Sequence, residues 1–191
     1  MFQSIEDYKS YIKQDKMYYN NVGLKRFFFP DPIFRFVKTM RKLELYHNFS
    51  GCLFLRIASR ILAIVYHIKY RRLSLRLGFS IPINCFGPGL SIPHYGTIVV
   101  NPNARIGKNC RIHTCVNIGA SGGSDNVPTI GDNVYIGPGA ILYGNITIPD
   151  NITIGANATV NKSFLSPNCT IAGTPAKIIK ENTDSWLVEW Q

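Results

Sequence analysis

"IVVNPNARIGKNCRIHTCVNIG", residues 98–119, carries an aliphatic residue at every sixth place: Val100, Ile106, Ile112 and Ile118. The rhythm continues through Ile130, Ile136, Leu142, Ile148, Ile154 and Val160, broken only at position 124, a serine. Two places earlier runs a second series of small or aliphatic residues: Ala104, Cys110, Val116, Val134, Ala140, Ile146, Ile152 and Ala158. A helix of 3.6 residues per turn cannot keep a six-residue rhythm on one face over such a length, and hairpin strands have no reason to. A parallel β-helix does. Each hexapeptide forms one flat side of a three-sided prism, and the inward aliphatic residue stacks on its counterpart in the next coil. Gly107, Asn109, Gly131, Asn133, Gly137 and Gly155 fall at the corners, where positive φ is expected. The fold class is mostly β: a left-handed parallel β-helix preceded by a small α-helical region. The left-handed sense expected from the hexapeptide spacing departs from the right-handed rule for parallel crossovers.

Around position 124 the stretch GASGGSDNVPT, residues 119–129, has no aliphatic residue at the expected place, yet the rhythm resumes at Ile130 in phase. It reads as a loop thrown out of the prism wall. Loops carried by a rigid scaffold are where ligand contacts concentrate.

The rest of the chain differs in charge. Of its 21 Lys and Arg and 11 Asp and Glu, residues 1–77 hold 15 and 5, whereas residues 78–191 hold 6 of each. The division expected is a basic helical region (1–77), a β-helix domain (78–180) and a C-terminal tail (181–191). Ser4 and Asp7 form a capping box ahead of Ile5, Tyr8 and Ile12 at helical spacing. Pro30-Asp31-Pro32 precedes a second helix with Phe34, Val37 and Met40. A third, from about Leu53 to Leu77, has Ile57, Ile61, Val65 and Ile68 on one face. The basic and aromatic residues of this region (Lys25, Arg26, Phe27, Phe28, Phe29, Arg71, Arg72, Arg76) fit a solvated face over a helix–helix core, or contact with an anionic membrane surface or lipid-linked substrate. Nucleic acid is disfavoured, because no recognised motif accompanies the charge. No charge-free run approaches the roughly 20 residues that span a bilayer, and no signal-peptide layout opens the chain, so a cytoplasmic location is expected, with the inner face of the membrane as a further point of contact. The five cysteines form no CxxC pair and make an odd number. They read as small core residues rather than metal ligands or disulfides, and no metal is expected.

Three features together resemble the hexapeptide-repeat acyltransferases, in the branch of serine acetyltransferases and polysaccharide O-acetyltransferases. They are Gly89-Leu90-Ser91-Ile92-Pro93-His94-Tyr95-Gly96-Thr97-Ile98-Val99-Val100, the glycine-rich loop, and the ending AGTPAKIIK; the match covers about residues 86–180. The resemblance implies direct acetyl transfer from acetyl-CoA to a hydroxyl, with His94 as general base and no acyl-enzyme. Imidazole suits that role, since its ordinary pKa near 6.5 leaves it neutral at pH 7. His113 is a candidate acceptor contact, with Asp125 beside it in the acceptor set; Gly122 and Gly123 are candidate oxyanion donors. The cofactor positions carried over are Pro138, Ala156, Asn161, Lys162, Gly173, Lys177 and Lys180, the lysines being natural partners of the cofactor's phosphates. The family's cofactor groove lies between prisms, so a homotrimer or a multiple of one is expected.

The chain also departs from the serine enzymes. They carry Asp just before the catalytic histidine, where this chain has Pro93. They have an Arg-His pair in the loop where it has Asn126-Val127, and an acid about fifteen residues upstream where it has Phe79. A charged substrate without partners binds badly. The expected acceptor is therefore an uncharged sugar hydroxyl of a capsular, exopolysaccharide or other glycan precursor. The alternatives are serine O-acetylation in cysteine biosynthesis and a non-catalytic trimeric scaffold. Asp125, Asn84 or a neighbouring subunit is expected to orient His94.

Overall fold

In the computed structural model, which describes residues 4–19, 31–50, 52–123 and 125–187, the six-residue rhythm becomes three flat walls. One, wall A, holds β1 (Phe79–Ser80), β2 (Ile98–Val100), β5 (Val116–Gly119), β8 (Ile141–Tyr143) and β11 (Thr159–Val160). Wall B holds β3 (Arg105–Ile106), β6 (Thr129–Ile130) and β9 (Thr147–Ile148). Wall C holds β4 (Arg111–Ile112), β7 (Tyr135–Ile136), β10 (Thr153–Ile154), β12 (Thr170–Gly173) and β13 (Ala176–Lys180). Pairing is parallel except for β13, which turns back antiparallel to β12. The architecture is a left-handed parallel β-helix.

Register carries the packing. Ile112, Ile136, Ile154 and Ile171 stack in one column, and Val100, Ile118, Leu142 and Val160 in another. These eight side chains are almost wholly buried, and burial of each contributes about 1.5–3 kcal/mol. Val116 pairs with Ile98, eighteen residues back, whereas Leu142 pairs with Ile118, twenty-four back. The extra length leaves the wall between β5 and β6 and equals one hexapeptide, which is why Ile130 returns in phase.

The corners work in two ways, only one of them expected. Asn109, Asn133, Asn151 and Asn168 have φ between 53° and 59°, and their side-chain amides form a ladder with N···O distances of 2.8–2.9 Å. Gly107, Gly131, Gly137 and Gly155 do not have positive φ. They are small because coils pass close together. A Cβ on Gly107 would stand 2.6 Å from the Gly131 carbonyl oxygen, and one on Gly137 2.8 Å from the Ala156 nitrogen.

Among the described residues, three helices cover the start of the prism. The first, α1 (Ile5–Lys16), begins with the Ser4/Asp7 capping box. The Asp31 side chain caps α2 (Pro32–Asn48), and α3 (Leu53–Leu77) ends at Gly78 with φ +79°. Phe34, Phe36, Val37 and Met40 of α2 enter the same core as Phe79 and Ile81, with the Phe36 and Phe79 rings 5.1 Å apart. A buried ion network locks this layer to the first coil. Arg41 donates to Asp15 (2.9 Å), Glu44 (3.0 Å) and the carbonyls of Phe86 and Gly87, while Asp15 accepts from the Gly89 and Leu90 amides. In the tail, Trp186 packs on Tyr18 and donates to the Asn109 carbonyl at 3.2 Å.

Two expectations are corrected. The row Ile57, Ile61, Val65 and Ile68 is 41–58% exposed. The side of α3 that packs instead carries Ser59, Ala63, Tyr66, Tyr70, Leu73 and Leu77: Ser59 donates to the Tyr46 carbonyl, and the Tyr66 and Tyr70 rings lie 5.3 and 5.5 Å from Tyr46 and Phe36. Of the cysteines, Cys85, Cys110 and Cys169 are core residues, but Cys52 and Cys115 are exposed. The run Lys25, Arg26, Phe27, Phe28 and Phe29 lies outside the described residues, as does Ser124. No helix among the described residues is long and apolar enough to cross a membrane.

Candidate active site

After pairing with Arg111 at Ser91, the chain leaves wall C, turns at Pro93-His94-Tyr95-Gly96, and enters wall A at Ile98. Gly96 makes the turn with φ +141°, its amide donating to the Leu77 carbonyl at 2.9 Å. The corner repeats in every coil below. His113-Thr114-Cys115 comes next, with Cys115 N donating to Thr97 O. Gly137-Pro138-Gly139 follows, joined by Gly139 N to Thr114 O, and then Gly155-Ala156-Asn157, joined by Asn157 N to Pro138 O. The Gly173-Thr174 turn closes the column, with Thr174 Oγ1 3.3 Å from Asn157 O. One prism edge thus aligns His94, His113, Pro138, Ala156 and Gly173.

The two histidines are not equivalent. His94 is exposed, and among the described residues no hydrogen bond is made to its ring. His113 is half-buried between His94, at a ring-centroid distance of 6.2 Å, and Tyr135, at 5.0 Å. Its Nε2 is buried without a hydrogen-bond partner. Burial, then the charge of Arg111 and then His94, push its pKa down to about 4. Such a nitrogen is neutral at pH 7 but a weak base, and it is covered. His94 is the accessible imidazole of the pair.

The other expected residues lie elsewhere on the chain. The Gly122, Gly123 and Asp125 loop leaves the edge between walls A and B, is exposed, and has open space around both glycines. Asn161 and Lys162 occupy that same second edge after β11; Asn161 reaches the Tyr143 hydroxyl at 3.4 Å and the Lys162 ammonium lies 5.7 Å from the Phe164 ring. Lys177 and Lys180 are exposed on β13, at the flank of wall C. Within one chain the two edges are separated by the width of a wall. Asn84 is corrected as an orienting partner for His94: its side chain pairs with Asn48 at 2.8 Å and its amide donates to Glu44 at 2.7 Å. Phe79 is a core residue, 4% exposed, so nothing at that position reaches a surface histidine. The Asp15–Arg41–Glu44 network escaped sequence reasoning because its members are far apart in the chain, and no local pattern marks them.

A coiled wall of this six-residue period is the architecture of the hexapeptide-repeat transferases, the class that the chain resembles. The family described as bacterial transferase hexapeptide (six repeats) matches residues 128–162. The chain is 36% identical over 101 residues to the serine acetyltransferase of Mycobacterium tuberculosis, covering 52% of this chain and 44% of that one. It is 41% identical over 98 residues to that of Staphylococcus xylosus, covering 50% and 45%. The chain therefore spans less than half the length of these two relatives. Among solved structures, it resembles serine acetyltransferase from Brucella abortus, with TM-score 0.67 and 26% identity over 94% of this chain and 71% of that chain. Soybean serine acetyltransferase complexed with serine gives TM-score 0.69 and 27% identity over 91% and 70%.

Proposed function

We propose that the protein is an acetyl-CoA-dependent O-acetyltransferase and that L-serine is its acceptor. The observation that carries this reading is the single prism edge on which the exposed His94 stands above Pro138, Ala156 and Gly173, the positions that motif likeness assigns to the donor. The reading departs from the sugar acceptor expected from the sequence, because the relatives and structural neighbours above are serine acetyltransferases.

In the proposed reaction the neutral His94 imidazole removes the acceptor's hydroxyl proton as its oxygen attacks the thioester carbonyl. The tetrahedral intermediate collapses with cleavage of the C–S bond, and the departing thiolate takes the proton back from the imidazolium. Acetyl is transferred, CoA leaves as the thiol, and His94 is regenerated. General base catalysis of this kind contributes about 10²- to 10⁴-fold. Covered by its neighbours, His113 serves as a neutral wall for the His94 ring. Lys162, Lys177 and Lys180 are the candidate partners of the cofactor's phosphates, and Gly122 and Gly123 the candidate oxyanion donors.

The assembly proposed is a trimer, which brings one chain's His94 edge against the loop edge of its neighbour. The outer face of wall A supports it: Val99, Asn117, Ile141 and Thr159 form an uncharged column in which Val99 and Ile141 are 37% and 43% exposed.

A second reading, acetylation of a sugar hydroxyl, is favoured by Pro93 beside His94 and Asn126-Val127 in the loop, which offer no charge to an amino acid. An acceptor screen separates the two. Thiol release from acetyl-CoA on adding L-serine supports the first; release with free or nucleotide-linked sugars alone supports the second. Failure to bind CoA supports a scaffold.

A further inference from the structure

The helical layer holds a second constellation, separate from the prism edges. Arg35, Lys38 and Lys42 recur at i, i+3 and i+7 on α2, and Lys69, Arg72 and Arg76 recur at the same spacing on α3. Residues so spaced share a helix face. Both rows line one cavity of about 460 Å³ between the helices, and among the described residues no carboxylate lines it. Glu44, the one acid in residues 32–77, is buried against Arg41 and the Asn84 amide.

Aromatic rings steady the lysine heads. Lys42 Nζ lies 3.1 Å from the Tyr66 hydroxyl, and the Lys42 and Lys69 ammoniums each stand 5.2 Å from the Tyr66 ring. Lys38 is 4.8 Å from the Phe34 ring. The hydrogen bond to Tyr66, above all, raises the Lys42 pKa and keeps that group charged. Two facing rows of like charge repel one another by about 1 kcal/mol per pair at 4 Å in water, and more where water is excluded. A multivalent anion reverses the sign of that interaction.

We propose that the groove between α2 and α3 is a binding site for a ligand carrying two or more neighbouring phosphate groups. Six cations exceed what a single carboxylate engages, and the three guanidiniums present forks matched to phosphate oxygens. The cavity falls within the usual size of a small-molecule site, about 300–1,000 Å³. None of its residues is among those assigned to acetyl-CoA, so the site stands independently of the proposed reaction. Phosphates of this kind come from a soluble polyphosphate-bearing molecule or from anionic lipid headgroups. The exposed Phe54, Ile57, Ile61 and Ile64 on the same helix make the lipid source worth a separate arm.

The test is calorimetric titration of the full chain with sodium tripolyphosphate at about 0.1 M salt, where exposed charges are screened beyond about 10 Å. The double variant Lys69→Glu/Arg72→Glu is compared with Lys9→Glu/Lys13→Glu on α1, which changes net charge equally at another exposed surface; circular dichroism checks that both fold. The site predicts one saturable equivalent per chain, binding at least about tenfold weaker in the groove variant, and near wild-type binding in the α1 variant. In a second arm, sedimentation with phosphatidylcholine vesicles is measured with and without phosphatidylglycerol. Anionic-vesicle binding that the groove variant loses and tripolyphosphate displaces assigns a lipid headgroup, and tripolyphosphate binding alone assigns a soluble ligand. Equal loss in the two variants, or no binding of wild type to either probe, overturns the proposal.

Discussion

The rings of His94 and His113 stand 6.2 Å apart, at successive levels of one prism edge, His94 exposed and His113 half-buried. His113 is hemmed between His94 and Tyr135, and its pKa is pushed down to about 4. In the proposed mechanism that contrast divides the labour: a half-buried, weakly basic ring stands beside the exposed base. It also makes His113 a source of acid sensitivity. Its folded pKa lies below its ordinary value near 6.5, so the unfolded chain binds the extra proton first. The stability that the neutral ring contributes is fully present above about pH 6.5 and is lost as pH falls toward 4. Urea unfolding at several pH values should show wild type losing more stability across that window than His113→Gln. Parallel curves for the two proteins would contradict this.

Gly137 marks a place where backbone of successive coils passes close together. An alanine Cβ there meets Ala156 N and Ile154 O at 2.8 Å, whereas at Gly122 it meets nothing within 4 Å. Gly137→Ala should cost about 1–3 kcal/mol, the usual range for overpacking, and Gly122→Ala little. Denaturant midpoints of the two variants check the contrast.

The asparagine ladder separates two contributions to a corner. Asn133 has φ +59° and bonds to Asn109 and Asn151 through its side chain. Asn133→Gly removes the ladder but tolerates the backbone; Asn133→Ala loses both, since a left-handed conformation costs an ordinary residue about 1–2 kcal/mol. Thermal unfolding should rank wild type above the glycine variant and the glycine variant above the alanine one.

Much of this was legible in the residues, and the failures have physical causes. The columns through Ile112 and Ile118 follow from period alone, because only a coil of fixed length returns a side chain to the same wall. The loop was legible for the same reason, its length being one repeat. Gly107 and Gly137 were placed at corners for the wrong reason, since sequence reveals a small residue but not which neighbour crowds it. On α3 the aliphatic row Ile57, Ile61, Val65 and Ile68 pointed to the packed side, while Ser59, Ala63 and Tyr66 hold it. Hydrophobicity ranks faces only when the partner is known, and α2 offers this one aromatic rings and a carbonyl to match. Of the candidate site, motif likeness picked out His94, Pro138, Ala156 and Gly173, and it is the coil register that puts them on one edge. Asn84's engagement with Asn48 and Glu44 depends on a helix forty residues away.

Arg41 is a sharper test of how the helices are held. Its guanidinium is wholly buried and serves Asp15, Glu44 and two carbonyls. Arg41→Met leaves two buried carboxylates without a counter-charge, a loss of about 3–5 kcal/mol by the usual cost of breaking a buried pair. Chemical denaturation should register that loss, and limited proteolysis should cut α1 and α2 faster than the prism.

The most direct measurement follows CoA thiol release from acetyl-CoA with L-serine, comparing wild type with His94→Ala and His113→Ala, alongside CoA affinity for each. Serine-dependent release should fall by about 10²- to 10⁴-fold in His94→Ala with CoA affinity nearly unchanged, and much less in His113→Ala. A His94→Ala protein that keeps most of its rate would remove His94 as the base and contradict the account.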